Sequence, residues 1–115
     1  MKVLWMSRHN PLPRQLSELC RMYGRDVVID QEANPFDDAR QIARRFREGG
    51  YGEMVIVAPL SVIAVLCLEN IPMLWSATAE ENDPAKVEFR GARGRGFRFV
   101  RFRRIKRVAL EFEDD

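Results

Sequence analysis

The sequence predicts an α/β protein built on a small, mainly parallel sheet. Short continuous apolar runs, typical of strands buried on both faces, recur along the first 75 residues. Amphipathic helical patterns separate these runs by short connections, which favours right-handed β-α-β crossovers. After residue 86 the strand-like segments follow one another without helices, which predicts an antiparallel appendage.

The first β-α unit has the clearest boundaries. Residues 3–6 form a short apolar run that predicts a strand, and residues 7–10 form the polar loop after it. Leucines and other apolar residues then recur at helical spacing from Leu12 to Tyr23, and Gly24 ends this helix.

The second unit repeats the scheme. Residues 27–29 predict another buried strand, and residues 30–35 a polar loop. Asp37 or Asp38 then caps a helix that ends at two glycines. Apolar residues share one face of this helix, namely Ala39, Ile42, Ala43 and Phe46.

The third unit is the most apolar. Residues 54–58 predict a strand, and residues 59–61 open a helix that runs to Leu68. A fourth strand is expected over residues 71–75, where Pro72 indicates a sheet edge or a strand start. The polar residues 77–85 predict a surface loop.

The C-terminal part predicts strands at residues 87–89, 97–102 and 107–112, with a hairpin-like turn over residues 91–96. We expect these strands to extend the sheet or to pack on a partner subunit. The whole chain is then one small Rossmann-like α/β domain over residues 1–115, with a parallel β-α core at 1–78 and a basic β appendage at 86–113.

Composition narrows the protein class. The 115 residues are 46% hydrophobic and 31% charged, which is ordinary for a globular domain. The longest apolar run is broken by Pro59 and Ser61, the N-terminus does not match a signal peptide, and we expect a cytoplasmic protein. The lone His9 and two isolated cysteines, Cys20 and Cys67, predict no metal site and no cofactor; the cysteines are expected to be buried apolar residues.

Positive charge is concentrated near the C-terminus. Between Lys86 and Arg107 there are ten basic residues and one acidic residue, Glu88. Most of the basic residues are arginines, whose planar guanidinium suits phosphate. This asymmetry indicates an anionic partner and says nothing about the fold.

Candidate site residues follow from the predicted topology. Ligands of open parallel sheets bind outside the carboxyl ends of the strands, where residues 7–10, 30–32, 59–61 and 76–78 would lie. The first loop offers four different polar groups in sequence, and the alternative for its histidine is a hydrogen-bonded bystander. Ser61 is expected to cap its helix or, alternatively, to bind phosphate at the helix end. The loop residues are Ser7, Arg8, His9 and Asn10.

Residues 95–102 resemble the RNP1 signature of RNA recognition motif domains, except at Arg98. The resemblance implies that Phe97 and Phe99 stack on bases and that Arg95 contacts phosphate. A nucleic-acid surface on these strands would also use Arg101 and Arg103. The alternative is a strand whose phenylalanines lie in the core and whose arginines lie outside.

A second resemblance lies at the N-terminus. Ser7-Arg8-His9, then Pro11-Leu12-Pro13-x-Gln15, a Leu-x-x-Leu helix and Gly24 follow in order. This pattern is similar to the compact ring nucleases and related CRISPR-associated Rossmann-fold (CARF-like) proteins of type III CRISPR systems. The similarity covers about the first 25 residues and, more loosely, the four-strand plan to Trp75.

The resemblance implies a homodimer that binds a cyclic oligoadenylate on its two-fold axis and cleaves it without a metal. Arg8 would contact phosphate, and His9 would protonate the leaving 5′-oxygen or remove the 2′ proton. Ser7 and Asn10 would orient the ribose. Residues lining the ligand pocket would be Gln15, Ser61, Ser76 and Thr78.

The sequence thus supports three ranked hypotheses. The first is a dimeric ring nuclease or ring binder whose concave site contains Arg8, His9, Ser61 and Ser76. The second is a non-enzymatic nucleic-acid-binding module, and the third is a protein-interaction domain. The helix ending at Leu68 carries almost no polar face, which independently favours a homodimer.

Overall fold

The computed structural model describes residues 1–33, 38–109 and 111–114. These residues form an α/β fold of three helices and one six-stranded mixed sheet. The helices are α1 (Pro13–Tyr23), α2 (Ala39–Glu48) and α3 (Leu60–Leu68). The strands are β1 (Lys2–Met6), β2 (Val28–Glu32), β3 (Glu53–Ile56), β4 (Met73–Glu80), β5 (Phe89–Arg90) and β6 (Gly96–Arg104).

The sheet has the strand order β2-β1-β3-β4-β6-β5. Its first four strands are parallel, and β6 and β5 continue it with antiparallel pairs. The expectation of a mostly parallel sheet with antiparallel C-terminal strands is therefore confirmed. The C-terminal strands extend the sheet, which was the first of the two arrangements predicted for them.

Two apolar clusters cover the two faces of the sheet, because successive residues of a strand point to opposite sides. Val3 and Trp5 of β1 pack with α1, whereas Leu4 and Met6 pack with α2 and α3. The predicted apolar face of α2 is buried in the second of these clusters. Asp38 caps α2 by accepting a hydrogen bond from the Arg40 amide at 2.9 Å, and Asp37 lies outside the described residues.

The antiparallel half contains a β-bulge. Thr78 pairs with Phe99 and Ala77 with Arg101, so Val100 is the extra residue on β6. Because of this insertion, Phe102 returns to the α1 face that Phe99 occupies. The bulge therefore puts phenylalanines spaced two and then three residues apart on one side of the sheet.

Several local expectations were wrong. Residues 30–32 were predicted as a loop but belong to β2, which is a half-exposed edge strand and not a strand buried on both faces. Residues 76–80 were predicted mostly as loop but belong to β4, an interior strand that Pro72 precedes. Of residues 107–112, the described ones, 107–109 and 111–112, form no strand.

Cys20 and Cys67 are free thiols at intermediate burial, so they are less buried than expected. Among the described residues, no helix combines the length and apolar character needed to cross a membrane.

Candidate functional site

The loop after β1 has a fixed backbone. The Ser7 hydroxyl is buried and accepts a hydrogen bond from the His9 amide at 3.1 Å. The Trp5 indole donates to the His9 carbonyl at 2.9 Å, and the Gln31 side chain donates to the carbonyls of Ser7 and His9 at 3.1 and 3.3 Å. The side chains of the next three residues, Arg8, His9 and Asn10, are exposed.

The topology gives this loop its significance. From β1 the chain crosses through α1 to β2 on one side, and from β2 it crosses through α2 to β3 on the other. The reversal lies between β1 and β3, and such a reversal opens a crevice at the carboxyl edge of a sheet. Arg8 and His9 therefore present a cation and an imidazole where an α/β sheet of this kind binds ligands.

Gln15 and Ser76 are brought together, as a shared site requires, but they bind each other. Gln15 is buried at the start of α1 and donates to the Ser76 hydroxyl at 2.9 Å. Its carbonyl oxygen accepts from the Leu12 amide at 2.7 Å. This side chain thus caps α1 and ties it to β4, where Thr78 follows on the same face and is exposed.

Ser61 lies elsewhere. It is the second residue of α3, whose N-cap is Pro59, so the expectation that Ser61 caps this helix was wrong. It lines a cleft of about 420 Å³ between α2 and α3, together with Asp38, Arg40 and Glu69. This cleft lies on the face of the sheet opposite to α1. The structure therefore does not bring Ser61 and Ser76 into one cavity.

The aromatic residues of the predicted nucleic-acid surface are not free to stack on bases. Phe99 is only 2% exposed and lies beneath the Arg14 guanidinium, 5.8 Å from its ring centre. Phe97 stacks on Phe89 with ring centres 5.5 Å apart. The interpretation that these phenylalanines belong to the core and its margin fits the structure better than base stacking.

Part of the C-terminal positive charge is neutralised inside the fold. Arg95 pairs with Glu80 at 2.9 Å and Arg98 with Glu81 at 3.1 Å. Arg101 and Arg103 are exposed, and no acidic side chain of the described residues pairs with either. The anionic partner suggested by the sequence would therefore meet fewer arginines than the sequence contains.

A buried polar cluster lies at the opposite, amino-terminal end of β3. The buried Glu53 carboxylate accepts two hydrogen bonds from Arg104, at 2.8 and 2.7 Å, and one from the Tyr23 hydroxyl. Burial, followed by the Glu53 carboxylate, raises the pKa of Tyr23. All the polar atoms of this cluster have partners, so it stabilises the contact of β6 with β3 and α1 and leaves no group free for a ligand.

Three important residues had little or no signal in the sequence. Gln31 supports the β1 loop from a strand that was predicted as loop, and Glu53 is a carboxylate at the start of an apolar strand. The burial of Glu53 depends on Arg104, which is 51 residues away in sequence. Trp75 ends the apolar run of the predicted fourth strand, and it is among the exposed large apolar side chains.

Within the described part of the chain, no cluster of three His, Cys, Asp or Glu side chains has the geometry to hold a metal ion. Comparisons with protein-family models, curated proteins and solved structures give no match to this chain.

Proposed function

We propose that this protein binds a cyclic oligoadenylate at the carboxyl edge of β1 and β3 and cleaves it without a metal. The observation that carries the proposal is the loop after β1, whose backbone is fixed while Arg8 and His9 remain exposed at the strand-order reversal. A fixed backbone lowers the entropic cost of placing these two groups against a phosphodiester.

The proposal includes a Rossmann-like fold class. The order β2-β1-β3-β4, with helices on both faces, is that of doubly wound nucleotide-binding folds, and we assign the chain to a Rossmann-like class on this basis. The resemblance of residues 7–24 to CARF-like ring nucleases supplies the ligand. A messenger of this kind acts in the cytoplasm, where we place the protein.

The proposed chemistry uses the chain, its substrate and solvent water. The ribose 2′-oxygen attacks the adjacent phosphorus, so an O2′–P bond forms and the P–O5′ bond breaks. The products are a 2′,3′-cyclic phosphate and a 5′-hydroxyl. Arg8 offsets charge on the phosphoryl oxygens. His9 removes the 2′ proton or protonates the 5′-oxygen, and solvent water supplies or accepts the other proton. Ser7 acts by holding the His9 backbone, because its hydroxyl already accepts that amide.

We also propose that the active form is a homodimer joined through α3. Leu60 and Leu68 of this helix are 64% and 83% exposed, and Val57 just before it is exposed as well. Burial of such side chains against a second copy is favourable by roughly 1.5–3 kcal/mol each. Light scattering at tens of micromolar should show a dimer, and Leu68→Glu should shift it towards the monomer.

Single-turnover cleavage of cyclic oligoadenylates of different ring sizes tests the proposed activity. His9→Ala should slow cleavage by roughly 10²-fold while binding changes far less. Arg8→Ala should weaken binding and rate together. Arg25→Ala, which removes an exposed arginine distant in sequence from the loop, is the matched control and should change neither.

Two results would contradict the proposal at different levels. Cleavage by His9→Ala at the parental rate removes the acid–base role of His9 but not ring binding. Failure of the unmodified protein to bind any ring size removes the function itself.

A further inference from the structure

The other face of the antiparallel half carries a flat cationic surface. Trp75 of β4 pairs with Arg103 of β6, and Ala77 pairs with Arg101. Paired residues point to the same side of a sheet, and alternate residues of a strand do so too. Trp75, Ala77, Arg101 and Arg103 therefore form one surface, which we name the basic sheet face.

This surface lies opposite to the phenylalanines. Met73, two residues before Trp75, packs with α2 and α3, whereas Phe102 packs on the α1 side. On the basic sheet face the indole of Trp75 is 43% exposed, and both arginines are exposed. The neighbouring Arg98 differs from them, because Glu81 holds its guanidinium.

A small side chain follows the indole on its own strand. Ala77 is the next residue of β4 on the same face as Trp75, so no large side chain stands beside the indole in that direction along the strand. Arg103 pairs directly with Trp75, and Arg101 lies two residues before Arg103 in β6. Trp75 is thus partly exposed, and two exposed arginines of the neighbouring strand share its face.

We propose that the basic sheet face binds single-stranded nucleic acid. An exposed aromatic ring on a sheet offers a stacking platform to an unpaired base of any type, and adjacent arginines bind the phosphates that flank it. Charge complementarity selects this partner, because Arg101 and Arg103 have no acidic partner within the described residues. A base can stack on the indole only when it is not paired and stacked within a duplex, so the strand must be unpaired.

This surface is independent of the loop after β1. It shares Arg101 and Arg103 with the nucleic-acid surface predicted from the sequence, but it does not use the phenylalanines of the RNP1-like pattern. Phe97 and Phe99 of that pattern face the α1 side and are covered. The bulge at Val100 keeps Arg101 and Arg103 on the open side while Phe102 turns inward. Trp75, from the neighbouring strand, replaces the two phenylalanines as the aromatic platform.

Tryptophan fluorescence gives a direct measurement. The chain has two tryptophans, and Trp5 is buried with its indole donating to His9. Quenching that is lost in Trp75→Phe therefore reports on Trp75, whereas quenching that persists in this variant reports on Trp5 beside the loop after β1. We expect oligo(dT) and oligo(rU) of about 12 nucleotides to quench Trp75, while the matching duplexes do not.

Substitutions separate stacking from charge. Trp75→Ala should weaken binding about tenfold or more, measured by anisotropy of a labelled oligonucleotide, whereas Trp75→Phe should keep most of it. The double variant Arg101→Ala/Arg103→Ala should reduce the slope of log K against log salt by about 1.4, since each phosphate contact contributes about 0.7. Circular dichroism checks that each variant is folded.

The matched control is Arg25→Ala/Arg44→Ala, which removes two exposed arginines distant from this face in sequence. It should leave the salt slope unchanged. An equal loss of slope in the control would show that binding follows net charge alone, and absence of quenching by every oligonucleotide would assign the face to another partner, such as an acidic protein. Either result overturns the proposal.

Discussion

The parallel and antiparallel halves of the sheet bury their apolar side chains in different ways. β1 and β3 lie between helices on both faces, so their residues are almost all buried apolar side chains. β6 has α1 on one side only and alternates phenylalanine with arginine, with one interruption at the bulge. In the sequence, continuous apolar runs encode the first half, and alternation of inward apolar and outward charged residues encodes the second.

This difference also separates the two proposed activities. β1 and β3 can present functional groups only beyond their ends, because helices cover both of their faces, and Arg8 and His9 lie just after β1. The antiparallel half has an open face, where Trp75 and two arginines are available without any loop. We therefore expect a ligand that fits a crevice at one half and an extended polymer on the other.

The largest predicted effect tests the difference in burial. Ile56→Ala in β3 removes a fully buried side chain from the main cluster and should lower the free energy of unfolding by about 3–4 kcal/mol. Phe89→Ala in β5 removes a ring that is already 37% exposed and should cost about 1 kcal/mol. Urea denaturation measures both, and equal losses would mean that the antiparallel half is as tightly packed as the parallel one.

A smaller effect is expected where the two halves are joined. Arg104→Ala removes both hydrogen bonds from β6 to the buried Glu53 and should cost about 2 kcal/mol, a value reduced because the Arg104 side chain is 38% exposed. Arg95→Ala breaks the exposed pair with Glu80 and should cost under about 1 kcal/mol. A double-mutant cycle of Glu53 and Arg104 should show coupling. Additive losses of stability would mean that this pair does not hold β6 to β3.

Gln15→Ala should cost about 1–2 kcal/mol, because the Leu12 amide and the Ser76 hydroxyl both lose a partner. Adding Ser76→Ala should cost little more, since the hydroxyl left without a partner is then gone. Thermal denaturation of the single and double variants measures this. If the single variant retains full stability, the tie between α1 and β4 is only a surface contact.

The smallest effect appears at alkaline pH. The pKa of Tyr23 is raised by burial and by Glu53, so the unfolded chain loses this proton at a lower pH than the folded one. The resulting stability is complete below about pH 10 and falls as the pH rises through the folded-state pKa. Tyr23→Phe should flatten that decline in urea midpoints, although Tyr51, whose pKa is also raised, leaves a residual slope.

The sequence predicted the parts of the fold that depend on local pattern. Apolar runs placed β1 and β3, and helical periodicity with Gly24 and Asp38 gave the bounds of α1 and α2 to within about a residue. The prediction for residues 76–80 was wrong because small and polar side chains are typical of a loop, and these residues form a strand by pairing with β6. That pairing is distant in sequence, so no local pattern carries it.

The candidate site divides in the same way. Arg8 and His9 could be placed from the sequence, because the rule that ligands bind beyond the carboxyl ends of parallel strands requires only the topology. The placement of Ser61 needed the position of α3 relative to α2, and the burial of Phe99 needed α1 to lie over β6. The bulge at Val100 has no signature in the sequence, and it decides which face every later residue of β6 occupies.

The two edges of the sheet have a consequence for how copies of the chain meet at high concentration. An edge strand with free backbone groups is a template on which further molecules can polymerise. Here one edge, β5, has two residues, and the other, β2, carries Asp30 and Glu32, which are engaged by Tyr51 and Arg45. A filament growing from the β2 edge would have to dislodge these charges. At the other edge, β5 pairs only with Gly96 and Phe97 of β6, and among the described residues no further strand covers the rest of β6. The proposed contact between two copies through α3 uses neither of these edges.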